Sequence, residues 1–342
     1  MDTVPQRRPI GTEREALRAA AARAQRAPSE HNAQPWRWVL HPDRLELHAD
    51  RSRRLRFTDE RGHGFLLGCG CVLHHLRVAL AEQGWHAEVR HQPADPAGRP
   101  LARVRIRPAD REPDARTLRH AAAIERRHTD RRRFSGRSVP PDALDALGDA
   151  ARPFGGVLHL AFGGHRGLVA EAMREAAERQ PEQEGYAAEL QQWTHRYAGA
   201  HDGIPASARL DGPPPSYRDL VLRWFPRGTL RQPRGGADHE DASVLAILTA
   251  VDEEPVSVLR AGEALSAVLL EATAQGLGAT PITQVLEVPE TRERLRHLVV
   301  GAHRPPVVAL RLGWPEPLGE PLPATPRRPI EQVLTEVDDE GG

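Results

Sequence analysis

Two glycine-bracketed apolar stretches constrain this chain more than any other feature. Gly70 and Gly84 bracket the first, and Gly262 and Gly276 bracket the second, each pair 14 residues apart. Within them Leu73 corresponds to Leu265, Leu76 to Val268 and Gln83 to Gln275. Each stretch reads as a long helix followed by an Arg-Pro strand entry, Arg99-Pro100 in one case and Arg304-Pro305 in the other. A repeat on this scale predicts two copies of one α+β unit that bury their apolar faces against each other. The copies differ in one respect. From closing glycine to Arg-Pro entry is 15 residues in the first and 28 in the second, which puts 13 extra residues within Ala279–Arg294.

At 342 residues the chain has room for about two domains of roughly 150 residues each. The stretch Pro108–Pro113 reads as the joint, giving halves 1–113 and 114–342 that share one core. With 39% apolar and 27% charged residues a large core is affordable, and wholesale disorder is excluded. Basic and acidic groups balance at 47 each, which argues against a nucleic-acid coat or a polybasic membrane binder. No apolar run approaches the roughly 18 residues of a membrane helix. The opening residues, Met1 to Arg8, lack the apolar stretch of a secretory signal. Two cysteines cannot make a disulfide framework. The expectation is a soluble cytoplasmic protein without nucleic-acid or membrane partners, a monomer whose repeat supplies its own interface, or a homodimer. All 47 basic residues are arginine. Schiff-base chemistry on lysine is therefore absent, and any side-chain cation holding an anion is Arg or His.

The first half reads as a helix over 12–26, strands at Trp36–Leu40 and Leu45–Ala49 around a His41–Arg44 turn, the long helix at 64–83, and strands near Ala87–Arg90 and Leu101–Arg107. The second half reads as helices at Thr117–Arg127 and Pro141–Ala151, a strand at Val157–Phe162, and helices at 165–179 and 186–197. A buried strand at Ser243–Val251, the second long helix at 257–275 and a last strand at Pro305–Leu312 follow, then an extended tail from Pro315. Residues 201–241 stand apart: rich in Pro, Gly and Asp, with Pro213-Pro214-Pro215 and an apolar cluster Leu220–Phe225. A connection this long is a lid or a disordered insert.

Three segments carry polar chemistry. The first, Ala27-Pro28-Ser29-Glu30-His31-Asn32-Ala33-Gln34-Pro35-Trp36, crowds donors and acceptors into a loop ahead of a strand. Asn and Gln suit a ring of alternating carbonyl and N–H groups, and equally suit a helix C-cap with a turn. The second, Arg126–Arg133, sets six basic side chains and Thr129 just after a helix. Guanidinium groups and a hydroxyl fit a phosphate, and such a run also fits a solvated surface. The third, Pro326-Arg327-Arg328-Pro329, reads as phosphate-closing or as a surface cluster.

Together, P-S-x-x-N-x-Q-P-W at Pro28–Trp36, R-x-[ST]-x-R at Arg127–Arg131, G-L-G followed by P-I at Gly276–Ile282, and the late Arg327-Arg328-Pro329 resemble the FMN-dependent nitroreductase family. The resemblance spans Ala16 to Leu334 and is weakest across 165–241. The motif order is altered, since in ordinary members the basic motif precedes P-S-x-x-N. This order is similar to that of the internally duplicated Acg-type branch, in which one chain imitates the family's homodimer. The resemblance implies an α+β nitroreductase-like fold and one composite FMN site. Pro28, Ser29, Asn32 and Gln34 would come from the partner-like first half. Arg127, Thr129 and Arg131, with His128 adjacent, would hold phosphate. Pro281, Ile282, Thr283 and Gln284 would lie along the ring, a backbone N–H of Thr283 or Gln284 reaching flavin N5, and Arg328 with Arg327 would close on the phosphate. Phe134 falls one residue late against the family spacing, which leaves Arg132 as the alternative to Arg131. The first half lacks the basic motif and the second has Arg152–Val157 where P-S-x-x-N-x-Q-P-W would recur, so one intact site per chain is expected. The implied activity is NAD(P)H-dependent reduction of a nitroaromatic or quinone. A lid at His201–Asp241, with Tyr217, Trp224 and Phe225, would instead make a closed flavin-storage protein.

Two weaker signals are set aside. Cys69-Gly70-Cys71 with His74-His75 fits no standard zinc spacing and lies in an apolar helix. Gly276-Leu277-Gly278 lacks the strand–GxGxxG–helix frame of a dinucleotide fingerprint.

Overall fold

The computed structural model describes residues 11–92, 98–197, 199–212, 216–234, 237–317 and 320–337. Pro213–Pro215, Met1–Arg8 and the acidic end of the tail, to which expectations were attached, lie outside them.

The first half runs α1 (Glu13–Ala24), β1 (Trp36–Leu40), β2 (Leu45–Ala49), α2 (His63–Glu82), β3 (Trp85–His91) and β4 (Ala102–Pro108). Helix α1 starts at a capping box, in which Glu15 N–H donates to Thr12 Oγ1 at 3.3 Å and Thr12 N–H donates to Glu15 Oε2 at 2.8 Å. Strand β4 alternates buried and exposed residues, as one face on a core demands. The second half runs α3 (Ala115–Arg126), α4 (Pro141–Ala151), β5 (Val157–Ala161), α5 (Gly163–Arg179), α6 (Tyr186–Thr194), β6 (Ser216–Tyr217), β7 (Leu220–Val221), β8 (Val244–Thr249), α7 (Pro255–Ala274), β9 (Gly278–Ile282), α8 (Gln284–Glu287), α9 (Pro289–Leu295) and β10 (Pro306–Gly313). The tail ends in β11 (Leu334–Glu336).

The two main sheets are built alike. One has the order β1-β2-β4-β3 and the other β5-β8-β10-β9, and every one of these pairings is antiparallel. In each, a long helix connects the second strand of the order to the fourth. The first sheet gains a fifth member, β11, paired parallel to β1 with Leu334 opposite Trp38. The tail thus crosses back to the first half, which an extended-tail reading did not foresee.

Helices α2 and α7 cross at Gly70 and Gly262. A Cβ on Gly70 would lie 2.0 Å from the Leu259 carbonyl oxygen, and one on Gly262 would lie 2.3 Å from the Leu67 carbonyl oxygen. The contacts are reciprocal: the partner of each residue lies the same distance along the other helix. Helix α2 is long and apolar enough to cross a membrane, contrary to the expectation that no run comes close. Its apolar window is 78% buried inside the protein, the setting of a core helix. One hydrophobic cluster takes residues from both halves, Leu67 and Leu73 of α2 beside Leu265 of α7, Leu248 of β8 and Val308 of β10. A second cluster lies on the other face of the β8–β10 sheet, under Tyr217, Leu220 and Leu222 of the insert.

Gly278–Ile282 is itself a strand occupying the position of β3, and α8 with all but the last residue of α9 lies within Ala279–Arg294, the stretch expected to hold the surplus.

Candidate functional site

A cleft opens where the halves meet, with an apolar end and a cationic end. The apolar end lies between Gly64, Leu67, Gly68 and Cys71 of α2, Leu265 of α7, and Thr280 to Gln284 at the end of β9. The cationic end is walled by Arg26, Arg127, His128, Thr129, Arg131 and Arg327. Pro28, Ser29, His31, Thr129 and Arg131 border both ends, so they are one space. Helix α2 approaches the Pro28 loop at Gly68, where a Cβ would lie 3.1 Å from the Ser29 side chain, a tight contact.

The loop Pro28–Trp36 is held in a costly shape. His31, Asn32 and Gln34 have φ of 48°, 54° and 50°, the left-handed region that side chains other than Asn and Gly avoid. Ser29 Oγ accepts from Gln34 N–H at 2.8 Å, and Trp36 Nε1 donates to Gln25 Oε1 at 2.8 Å, anchoring both sides. Asn32 Nδ2 donates to the carbonyls of Gly203 and Pro326, both at 3.0 Å, while its Oδ1 is buried without a partner.

At the cationic end, Arg127 Nε and Nη1 are buried and unpartnered. Burial lowers Arg127 to about 10. Arg327 falls to about 9 through burial first and then the nearby charges of Arg127 and Arg26. Its guanidinium donates only to carbonyls, of Ala27, Thr325, Pro326 and Arg26. Burial also holds Arg131 down, to about 10. Arg127 and Arg327 sit close to each other and to Arg26 where burial disfavours their charge, a site that an anion would relieve.

Of the residues singled out in the sequence, Pro28, Ser29, Asn32, Arg127, His128, Thr129, Arg131, Pro281, Ile282, Thr283, Gln284 and Arg327 border the cleft. Two do not. Gln34 is fully buried away from it, its Nε2 donating to the His201 carbonyl at 2.9 Å and its Oε1 accepting from Arg328 N–H at 2.8 Å. Arg328 turns the other way, toward Asp50 at 3.7 Å and the Gln332 carbonyl at 3.0 Å. Extended backbone sends successive side chains to opposite sides, so only one of the adjacent arginines can face the cleft. Arg131 and Arg132 likewise face different ways. Arg132 is locked to both Asp130 oxygens at 2.9 Å and to the Glu320 carbonyl at 2.7 Å, leaving Arg131 for the cleft.

The segment 201–241 supplies walls at both ends: Gly203, Ile204, Pro205 and Ala208 at the cationic end, Leu222, Arg223 and Phe225 at the apolar end. Arg131 stacks over Phe225 at 5.1 Å. Trp224 is instead exposed, and Tyr217 is buried in the second cluster with its hydroxyl donating to the Arg131 carbonyl at 2.7 Å. Among the described residues no cluster of His, Cys, Asp and Glu could hold a metal, and Cys71 borders the cleft as a thiol pushed up to about 12 by burial.

The nitroreductase family model matches residues 124–314, more than half the chain. The chain belongs to the nitroreductase family. Two Mycobacterium tuberculosis relatives bear the names "Putative NAD(P)H nitroreductase Rv3131" and "Putative NAD(P)H nitroreductase acg". The first is 41% identical, covering 94% of this chain and 91% of the relative. The second is 35% identical, covering 93% and 95%. Among solved structures, a Desulfitobacterium hafniense nitroreductase with bound FMN is 12% identical, covering 64% of this chain and 98% of that one at a TM-score of 0.40. A Bacteroides fragilis nitroreductase with bound FMN is 13% identical, covering 58% and 88% at 0.37. Several wall residues of this nitroreductase-family chain have no individual role assigned from the sequence: Arg26, Glu30, His31, Gly68 and Arg223. Glu30 and His31 sit inside the quoted motif at its variable positions, and Gly68 lies two residues before Gly70. Arg26 and Arg223 had no signal among so many arginines.

Proposed function

We propose that the chain is an FMN-binding oxidoreductase of the nitroreductase type, using NAD(P)H to reduce a small aromatic nitro or quinone acceptor at one composite site. The observation that carries the reading is the pair of buried Arg127 and half-buried Arg327 at one end of a cleft whose other end is apolar. A flavin mononucleotide has this polarity, with a flat ring at one end and a phosphate at the other. Arg127, Arg131, Arg327, His128 and Thr129 would take the phosphate, by charge-assisted hydrogen bonds. Pro28, Ser29 and the orphaned Asn32 Oδ1 would meet the ribityl chain and ring edge. Pro281 to Gln284 would border the ring, a backbone N–H of Thr283 or Gln284 serving flavin N5. Bound flavin supplies the hydride and electron chemistry, and the chain binds, orients and shields it.

The same reading makes the chain a fused pseudo-dimer with a single working site. Identical strand orders and the reciprocal Gly70–Gly262 crossing support descent from one duplicated unit. Cys71 borders the cleft, and the residue that answers it in α7 is Glu263, wholly buried against His91 at 2.6 Å. Phe154, on the turn where a second Pro-Ser loop would lie, packs edge-on to His74 at 5.0 Å. The buried Glu263 favours loss of a second flavin site, while Phe154 and His74 line a separate hollow with Arg77 and His86.

The insert favours a second reading, closed storage of flavin, because Arg223 is buried in an ion pair with Glu287 across the apolar end. The visible spectrum decides between them. Purified protein should be yellow and should bleach on anaerobic addition of NADH or NADPH. Yellow protein that stays yellow supports storage, and protein that binds no FMN contradicts both.

A further inference from the structure

Two carboxylates crowd one hydroxyl and one guanidinium on the wall of the apolar end. Thr283 Oγ1 lies 2.8 Å from Glu30 Oε1 and 2.7 Å from Glu287 Oε1. A hydroxyl has one hydrogen, so it donates to one of these oxygens only. Were both carboxyls ionised, the second contact would set lone pair against lone pair in a buried site. The geometry closes when Glu30 carries a proton and donates to Thr283 Oγ1, which donates on to Glu287. Counting charge gives the same answer. Arg223 is committed to Glu287 and stands 3.7 Å from Glu30. Asp59, which accepts from the N–H groups of Gly64 and Phe65 at 3.0 and 2.7 Å, adds another negative group beside them. The side chains of Glu30 and Glu287 are 8% and 7% exposed, so water cannot screen the repulsion.

The remaining charged neighbours agree. Burial pushes Glu30 well above the ordinary carboxylate range, Glu287 and Asp59 add to this, and Arg223 opposes it. Burial raises Asp59 to about 6. His31, beside Arg223, is held neutral by burial and by the charges of Arg223 and Arg131. Tyr186, which Arg223 overlies, is held as a phenol by burial.

We propose that Glu30 keeps a proton at neutral pH and hands it to the acceptor reduced in the cleft, a role that rests on the oxidoreductase reading. For a quinone the balance is simple. NAD(P)H is oxidised and supplies two electrons and one hydrogen nucleus. Glu30 supplies the second hydrogen nucleus as a proton. The Glu30 O–H bond breaks, an O–H bond forms on the acceptor oxygen, and the electron pair stays on Glu30 as a carboxylate facing Arg223. Water returns the proton after hydroquinone leaves.

Infrared spectroscopy of the full chain without flavin reads the proton directly. At pH 8, where Asp59 is ionised, wild-type protein should show a carboxylic-acid C=O band that shifts in heavy water. Glu30→Gln should abolish it and Asp59→Asn should leave it. No acid band, or one that survives Glu30→Gln, overturns the proposal. Should Glu30→Gln fail to fold, Thr283→Val should move the band to higher frequency by removing its acceptor, and an unmoved band overturns the proposal. In FMN-loaded protein with benzoquinone as probe, Glu30→Gln should slow acceptor reduction by about a hundredfold. It should also flatten the decline in that rate with rising pH, while flavin reduction by NAD(P)H keeps its speed. Equal loss in both half-reactions, or loss in neither, overturns the proposal. Failure to take up FMN would instead sink the oxidoreductase reading, while the flavin-free band still tests the proton on Glu30.

Discussion

Arg327 and Arg328 are adjacent in sequence and opposite in use. Arg327 reaches the cationic end of the cleft, and Arg328 reaches Asp50 behind the Pro28 loop. Arg327→Ala should weaken FMN binding by about 1.5–3 kcal/mol, the range of a charge-assisted hydrogen bond. Arg328→Ala should leave FMN affinity within a factor of about two, because its guanidinium reaches Asp50 and the Gln332 carbonyl and does not border the cleft. Titration of both variants with FMN checks this, and equal losses would reverse the assignment. The R-R-P motif was legible in the sequence, but which arginine faces inward depends on backbone register over the tail, which composition does not encode. Arg311 was not legible at all. It lies fully buried in β10, sandwiched between Phe134 at 4.0 Å and Tyr217 at 4.5 Å and paired with Asp241. Its aromatic and acidic partners are scattered along the chain, and nothing local marks them.

At the scale of elements, the glycine spacing that announced two equivalent helices also fixes how they meet. Gly70→Ala should destabilise the protein by about 1–3 kcal/mol, since the new methyl group meets the α7 backbone, which cannot rotate away. Gly148, inside α4 with open space around it, offers the contrast. Gly148→Ala should stabilise by about 0.5–1 kcal/mol through helix propensity alone. Chemical denaturation of the two variants tests the pair, and a neutral Gly70→Ala would deny the tight crossing. The insert is held to the cleft by Arg223, so Arg223→Gln should speed release of bound FMN, read by fluorescence on dilution. An unchanged release rate would show that this segment does not retain the ligand. The regular elements of both halves were readable because periodicity, caps and glycines are local. Strands β9 and β11 were not, since each is short and exists through its partner: β9 against β10, and β11 against β1.

Taken whole, the molecule buries histidines of α2 at the seam between its halves. His74 and His75 both contact Ser266 Oγ at 2.8 Å, and burial holds both well below 6.5. In the unfolded chain they take up protons below pH 6.5, and in the folded chain they do not. Stability should therefore fall as pH drops below 6.5, by up to about 1.4 kcal/mol per pH unit for each histidine. Glu271, lowered to about 2 chiefly by its hydrogen bond from His120, continues the fall at lower pH. Glu30 works in the opposite sense, since its raised value removes stability as pH rises. Denaturation curves at pH 8 and 5.5 should show the drop, and His75→Gln should shrink it. A stability independent of pH over that interval would refute the neutral assignment. The seam matters because the cleft exists only where the halves meet, with Asn32 from one and Thr129 from the other on a common wall. Equilibrium titration of flavin-free protein with FMN, followed by fluorescence quenching, addresses this most directly. The predicted result is one FMN per chain, with tight binding lost in the Arg127→Ala, Arg327→Ala double variant. Two FMN per chain, or undiminished binding by that variant, would contradict a single composite site.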